Sequence, residues 1–381
     1  MTSLFTPPQR ILIASASIGG GHVAAARALE SALVRRGVEV SHVDMLDYTT
    51  LPFRRLYKQT YFDLVRTAPD LVDWLGKRLD RLPSERKSRQ QRVRARLTRL
   101  VSYRFPRLLE EVKPDVIVHT HFLPPEILST LGTRLQAPQV EVITDFAAHS
   151  LWLQPNLKRY FVASDEVKVH LVSAGVDEQR VVVSGIPIDP RFEALEPKHV
   201  ARAELALPEG RDTLLVMAGG LDKKMLLGVV RQLKDFRWPL TAAVLCGRSE
   251  QFVSAVQHEL EEYQGLVHFR VVGLTREVPR YMAAADLVLG KPGGLTSSEA
   301  LAAGLPFAVV QPYPLQEEAN ANYLLEHGAG MRIEPLSVLN HKLRRFFEED
   351  ERRAAMRQAA LALGKPGAAN AVADILLSEA L

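Results

Sequence analysis

Twice along this chain a short apolar, β-rich run stops at glycine and turns into a helical stretch. Residues 10–15 run into Gly19-Gly20-Gly21 and an Ala-rich helical pattern from His22; residues 213–217 run into Ala218-Gly219-Gly220. A strand that reverses into a helix returns its next strand parallel to the first, because the helix takes up the crossover. The pattern persists. Residues 38–43, 115–119, 140–144 and 160–163 read as further strands of the first half, and 240–245, 266–272, 286–289 and 307–310 as those of the second. Helical patterns fill the gaps, 222–234 and 297–303 among them, and Gly37 stands where a left-handed helix stop is expected. Each half is therefore expected to form a mostly parallel, doubly wound α/β sheet.

A chain of 381 residues holds two such domains. Residues 189–212 carry three prolines and no clean strand, so the connection is placed at their start: one domain over 1–190, a second over 191–367, and a final helical segment over 368–381. Two αβ domains in one chain are expected to face each other across a central cleft, with ligands beyond the carboxyl ends of the strands. With 47% hydrophobic and 24% charged residues, neither disorder nor a fibrous repeat fits. A single cysteine, Cys246, excludes an internal disulfide and a cysteine-built metal site, and a reducing cytosol is expected. No apolar run approaches the ~18 residues of a membrane span. Pro7 and Pro8 argue against a signal peptide.

The net charge of +4 conceals an asymmetry. Residues 77–107 hold twelve Lys/Arg and two Asp/Glu, a local +10 that leaves −6 for the remainder. This segment belongs to a strandless insertion at about 48–112, rich in arginine and aromatics. Arg89, Arg92, Arg96 and Arg99 fall on one helical stripe beside Val93, Leu97 and Leu100, and Phe53, Tyr57 and Tyr61 recur at helical spacing upstream, with Trp74 and Leu75 nearby. Basic and apolar faces together suit an anionic membrane surface. The plainer readings are a solvated face and core aromatics; no nucleic-acid module is recognisable.

Gly19-Gly20-Gly21-His22-Val23-Ala24 fits G-x-G-x-x-A, and Asp44 ends the next strand, as a dinucleotide site would have it. A tight turn satisfies the same template. His22 points elsewhere: an imidazole in the first turn of a helix is an acid/base group beside backbone N–H donors. In the second half, Gly290-Lys291-Pro292-Gly293-Gly294-Leu295-Thr296-Ser297-Ser298-Glu299 sets glycines and hydroxyls before a helix whose start suits a diphosphate. Glu299, read on the first turn, either takes the two hydroxyls of a ribose or closes a capping box with Thr296. Gln316-Glu317-Glu318-Ala319-Asn320 opens another helix, whose amides and carboxylate suit a polyhydroxylated ligand, or simply a polar helix start. His119-Thr120-His121 ends a strand without a third ligand, and no Asp-x-Asp occurs, so no metal is expected.

These residues resemble a known family. The glycine turn with His22, then Thr144-Asp145-Phe146-Ala147-Ala148-His149-Ser150-Leu151-Trp152, Gly185-Ile186-Pro187-Ile188, the stretch 293–306 and the 316–320 motif occur in the order and spacing of the monogalactosyldiacylglycerol synthases and processive diacylglycerol glucosyltransferases of glycosyltransferase family 28. MurG is a more distant relative. The similarity runs over about 10–330. It implies a GT-B fold, two Rossmann-like domains with the acceptor on the first and the UDP-sugar on the second, the last helix crossing back to the first. The implied reaction is inverting transfer of glucose or galactose to diacylglycerol, once or repeatedly, without metal or other cofactor. Carried over by position, Gly219, Gly220, Gly294, Leu295 and Thr296 face the diphosphate, Gly273 and Leu274 the uracil, and Glu299 the ribose. Gln316, Glu317 and Asn320 read the hexose, and Arg248 joins the donor side. Gly20, Gly21, His121, His149 and Trp152 fall on the acceptor side. One position departs from the plant-type enzymes: an aspartate there is Ser17 here, which moves the base to His22, with Asp145 as competitor. The location implied is cytoplasmic, peripheral to the inner face of the cell membrane. The rivals are a UDP-sugar epimerase, a transferase acting on a polyprenyl-linked acceptor, and a non-catalytic UDP-sugar sensor.

Overall fold

The computed structural model describes residues 7–17, 19–52, 54–55, 104–129, 137–154, 156–314 and 316–378. The arginine stripe and the aromatics at 53, 57, 61 and 74 lie outside them. The chain divides into two units. The first is Met1–Pro190 with Pro314–Gln316 and Gly367–Leu381, and the second is Arg191–Tyr313 with Glu317–Pro366.

The first unit holds a six-stranded sheet of β1 (Arg10–Ser15), β2 (Glu39–Asp44), β3 (Val116–His119), β4 (Gln139–Val142), β5 (Leu157–Val162) and β6 (Val181–Val183). All pairings are parallel, in the order β2-β1-β3-β4-β5-β6. Strands β1, β3 and β4 are buried almost throughout, as parallel strands covered on both faces must be. One face, with Ile11, Ile13, Val118 and Val142, packs on helix Gly21–Val34 and on helix Ala368–Ser378 through Ala369, Val372, Ala373 and Leu376. Arg36 ties the two helices, donating to Asp374 and Asn370 at 2.7 Å each. The other face packs Leu12, Ala14 and Ile117 against helices Phe105–Val112 and Leu123–Ser129.

The second unit repeats the plan with β7 (Asp212–Met217), β8 (Leu240–Leu245), β9 (Val267–Val272), β10 (Leu287–Gly290), β11 (Phe307–Val309) and β12 (Gly330–Arg332). The order is β12-β11-β10-β7-β8-β9, again parallel. Its core joins the strands to helices Lys223–Lys234, Glu250–Leu260 and Leu339–Glu348. Asp222 and Ser249 cap the first two of these, each side chain accepting from a backbone N–H three residues on.

The doubly wound expectation holds, with three additions. The three-residue edge strands β6 and β12 were not anticipated, and 189–212 contains a helix, Lys198–Glu204. In both sheets the winding reverses between the first strand and a neighbour: β1 beside β3, and β7 beside β10. Loops leaving such a pair diverge and open a crevice at the carboxyl ends of the strands.

Candidate active site

At the crevice of the first unit, helix Gly21–Val34 begins directly after the glycine turn, with Gly20 at the N-cap and Gly19 at φ +81°. A side chain is rarely tolerated at that φ, so glycine sets the turn that brings His22 over the strand ends. His22 Nδ1 lies 2.9 Å from the Thr120 carbonyl, after β3, and 2.7 Å from Thr144 Oγ1, beyond β4. A carbonyl only accepts, so Nδ1 carries the proton and Nε2 carries the lone pair. Thr120 Oγ1 returns a bond to the His22 carbonyl at 3.0 Å. The ring is thereby fixed in the tautomer a general base requires. Burial pushes its pKa down to about 4, against the upward pull of the Thr120 carbonyl, so the imidazole is neutral at pH 7.

Around it stands an aromatic cluster. His121 meets His22 edge-on at 4.6 Å between centroids and lies 4.2 Å from Phe122, which in turn is 5.1 Å from His149 and 5.5 Å from Trp152. His121 Nδ1 accepts from the Leu123 amide, which leaves its proton on Nε2. Burial, then the neighbouring His22 and His149, hold His121 well below the ordinary histidine range. Burial and then His22 lower His149 to about 4. Trp152 is fully buried and its Nε1 donor has no partner among the described residues. The structure thus brings His22, His121, His149 and Trp152 together, beside Gly20 and Gly21. Asp145 sits half-buried in the loop after β4.

Asp44 has a structural part at this turn. Its Oδ1 accepts from the amides of Ser17 and Leu46, so it ties the glycine turn to the end of β2. His119 and His121 take different neighbours: His119 Nε2 meets Gln139 Oε1 at 3.0 Å. Among the described residues no three His, Cys, Asp or Glu side chains group as metal ligands.

In the second unit, β10 ends at Gly290 and helix Gly294–Ala302 starts after a tight turn in which the Gly293 amide donates to the Lys291 carbonyl. Gly293 is the N-cap and no side chain caps this helix. The amides of Gly294, Leu295 and Thr296 occupy its first turn, where helical N–H groups lack partners within the helix. The capping-box reading of Thr296 and Glu299 is therefore wrong, and so is the first-turn placement of Glu299. Thr296 is the third helical residue and Glu299 the sixth, half-buried on the second turn. Gly219 and Gly220 lie across the crevice, after β7. A Cβ at Gly219 would meet nothing within 4 Å, whereas at Gly220, φ +82°, it would come within 3.2 Å of Lys291 Cδ. Gly273 follows β9, and Leu274 is 71% exposed. Arg248 is exposed after β8.

Helix Gln316–Glu326 carries the remaining three residues. Gln316 groups with the first unit, where its Nε2 is 3.3 Å from His149 Nε2; Glu317 and Asn320 group with the second. Asn320 is fully buried. Glu317 Oε2 accepts from the Tyr313 amide at 2.6 Å and lies 3.4 Å from Lys291 Nζ. The site also includes Thr120, Thr144, Phe122 and Lys291, to which no motif assigns a part. Thr144 and Lys291 lie inside the 144–152 and 290–299 motifs, but a threonine or lysine carries no signal of whom it will meet.

Comparison with known proteins follows this division. Residues 22–188 match the family model described as monogalactosyldiacylglycerol (MGDG) synthase, and residues 213–375 the glycosyltransferase family 28 C-terminal domain. A protein of Bacillus mycoides named processive diacylglycerol beta-glucosyltransferase is 29% identical over 386 residues, covering 97% of this chain and 94% of its own. One of the same name from Bacillus cereus is 29% identical over 384 residues, with the same coverage. Among solved structures, MurG of Acinetobacter baumannii superposes with a TM-score of 0.63 at 19% identity, covering 98% of this chain and all of its own. A UDP co-structure of S. aureus MnaA gives 0.64 at 14% identity, covering 97% and 96%. At such identities the structures speak for the fold, and it is the GT-B type of two Rossmann-like units.

Proposed function

We propose that this chain, which carries a monogalactosyldiacylglycerol synthase domain followed by a glycosyltransferase family 28 C-terminal domain, transfers a hexose from a UDP-sugar to the hydroxyl of diacylglycerol. The product is a β-glycosyl diacylglycerol. The curated relatives are named as glucosyltransferases, which favours glucose as the hexose. Their names also record processive transfer, and a glycosyl diacylglycerol offers fresh hydroxyls for a second round.

The observation that carries the mechanism is the locked tautomer of His22. Its Nε2 lone pair takes the proton of the acceptor hydroxyl as that oxygen attacks the anomeric carbon. The bond from that carbon to the diphosphate breaks on the opposite face, which inverts an α-linked donor into a β-glycoside. The Nδ1–H bond to the Thr120 carbonyl stabilises the imidazolium that forms. Asp145 is the competing base. On the donor side, the amides of Gly294, Leu295 and Thr296 meet the departing diphosphate with the positive end of their helix, without a metal. Glu299 takes the ribose, Gly273 and Leu274 border the uracil beside Arg248, and Gln316, Glu317 and Asn320 read the hexose.

The lipid acceptor lives in a bilayer, and among the described residues no helix is long and apolar enough to cross one. The +10 segment at 77–107 then supplies peripheral attachment to an anionic leaflet on the cytoplasmic side. The test is incubation of the pure protein with radiolabelled UDP-glucose or UDP-galactose and diacylglycerol vesicles, with and without anionic lipid. A labelled glycolipid is expected; none from either donor sinks the reading.

A further inference from the structure

Lysine is seldom buried, yet Lys291 is 4% exposed, and it stands at the point where the second sheet reverses its winding. Its stem runs beside Gly220, across the crevice between the loops after β7 and β10. Its ammonium is 2.6 Å from the centroid of the Tyr313 ring and 3.4 Å from Glu317 Oε2, and makes no well-formed hydrogen bond among the described residues. One lysine thus links the ends of β7, β10 and β11.

The partner carboxylate is used unevenly. Glu317 Oε2 receives both the Tyr313 amide and the ammonium, while Oε1 has no partner among the described residues. A carboxylate can accept about four hydrogen bonds, so about half of its capacity is unspent. An ion pair that buries its lysine is also a poor device for stability alone, since an apolar side chain of equal volume serves as well or better there. The arrangement fits a group held for something else.

We propose that Lys291 is a positioning residue for the donor sugar: it holds Glu317 by Oε2 and leaves Oε1 as the acceptor for hexose hydroxyls. The inference rests on the donor reading given above, and adds to it the residue that fixes the sugar-reading carboxylate. Burial pushes Lys291 down to about 8, opposed by Glu317 and Asp222, and pushes Glu317 upward, opposed by Lys291; each favours the charged form of the other.

The test is calorimetric binding of UDP and of UDP-glucose to the wild type, Lys291→Met, Glu317→Gln and the double variant. Methionine keeps the length of the stem and removes the charge, so a thermal melt near that of the wild type is expected. Each single variant loses about 10-fold or more in UDP-glucose affinity, the scale of one charge-assisted hydrogen bond. UDP affinity stays within about threefold, and the double variant is no weaker than Glu317→Gln, because nothing remains to be positioned. Lys291→Arg recovers part of the loss. Equal weakening of UDP and UDP-glucose would place the ammonium on the diphosphate and overturn the proposal. Additive losses, unchanged binding, or a wild type that binds UDP-glucose no tighter than UDP would overturn it too. Glycolipid formation is measured in parallel: a wild type that binds UDP-glucose tightly but makes no product removes the transferase reading and leaves Lys291 to be judged by binding.

Discussion

Replacing His22 by alanine removes an imidazole whose proton its neighbours fix on Nδ1. Because Nδ1 is occupied by the Thr120 carbonyl and Thr144, the whole of the base function falls to Nε2. Loss of a positioned general base costs about 10²–10⁴ in rate, or roughly 3–5 kcal/mol in the barrier. The residues assigned to the donor lie beyond the strands of the second unit or on helix Gln316–Glu326, so UDP affinity should stay near that of the wild type. The assay is initial-rate glycolipid synthesis at saturating donor, with UDP binding measured alongside. The pH profile sharpens the test. With its pKa pushed down to about 4, His22 remains a free base far below the ordinary histidine range. At pH 5.5 about 97% of it is unprotonated, against about 9% for an unperturbed imidazole. The acid limb of kcat/KM should therefore fall near pH 4, not 6.5. A limb at 6.5 would refute the desolvation argument. An alanine variant with kcat within about threefold of wild type would refute the base assignment and pass the role to Asp145.

Glu299→Ala is expected to raise the donor KM by about 10-fold or more with a smaller change in kcat, read from steady-state kinetics with UDP-glucose; an unchanged KM would leave Glu299 a purely structural part of its helix. Acid should destabilise the first unit. His22, His119 and His149 protonate near 6.5 when unfolded but only at about 4 when folded, so the unfolded state binds more protons in that window and stability falls as pH drops through it. Each contributes about 2 kcal/mol of loss at pH 5, and chemical denaturation between pH 7 and 5 should show a falling midpoint; a flat profile would mean that these rings are solvated. Neutralising Arg89, Arg92, Arg96 and Arg99 should reduce co-sedimentation with anionic vesicles, by ~1 kcal/mol per residue at low salt and less at high salt. Unaltered sedimentation would leave the stripe a solvated face.

How much of this was legible in the sequence depended on how local the cause was. Strands such as β1, β7 and β8 announce themselves because parallel strands buried on both faces must be continuously apolar. The edge strands Val181–Val183 and Gly330–Arg332 are too short to carry a period. Glu299 was misplaced because Thr296-x-x-Glu299 satisfies the spacing of a capping box, while the chain starts its helix earlier, at a glycine N-cap that offers no side chain. His22 was visible as a residue, but its tautomer was not. That depends on Thr120 and Thr144, 98 and 122 residues away, which only the parallel stacking of β1, β3 and β4 brings within reach. A lone lysine such as Lys291 reads as surface charge in the sequence, and only the fold shows that it is buried.

Helix Ala368–Ser378 has a consequence for how the molecule is made. Four of its side chains, Ala369, Val372, Ala373 and Leu376, complete the core beneath β1, β3 and β4, yet they are synthesised after every residue of the second unit. A nascent first unit therefore emerges with Ile11, Ile13, Val118 and Val142 on a sheet face that its own sequence up to Pro190 cannot fully cover. The second unit, continuous but for the brief excursion at Pro314–Gln316, has nearly all its core in hand as soon as it leaves the ribosome. Order of synthesis and order of completion run in opposite directions, and the half that begins first finishes last.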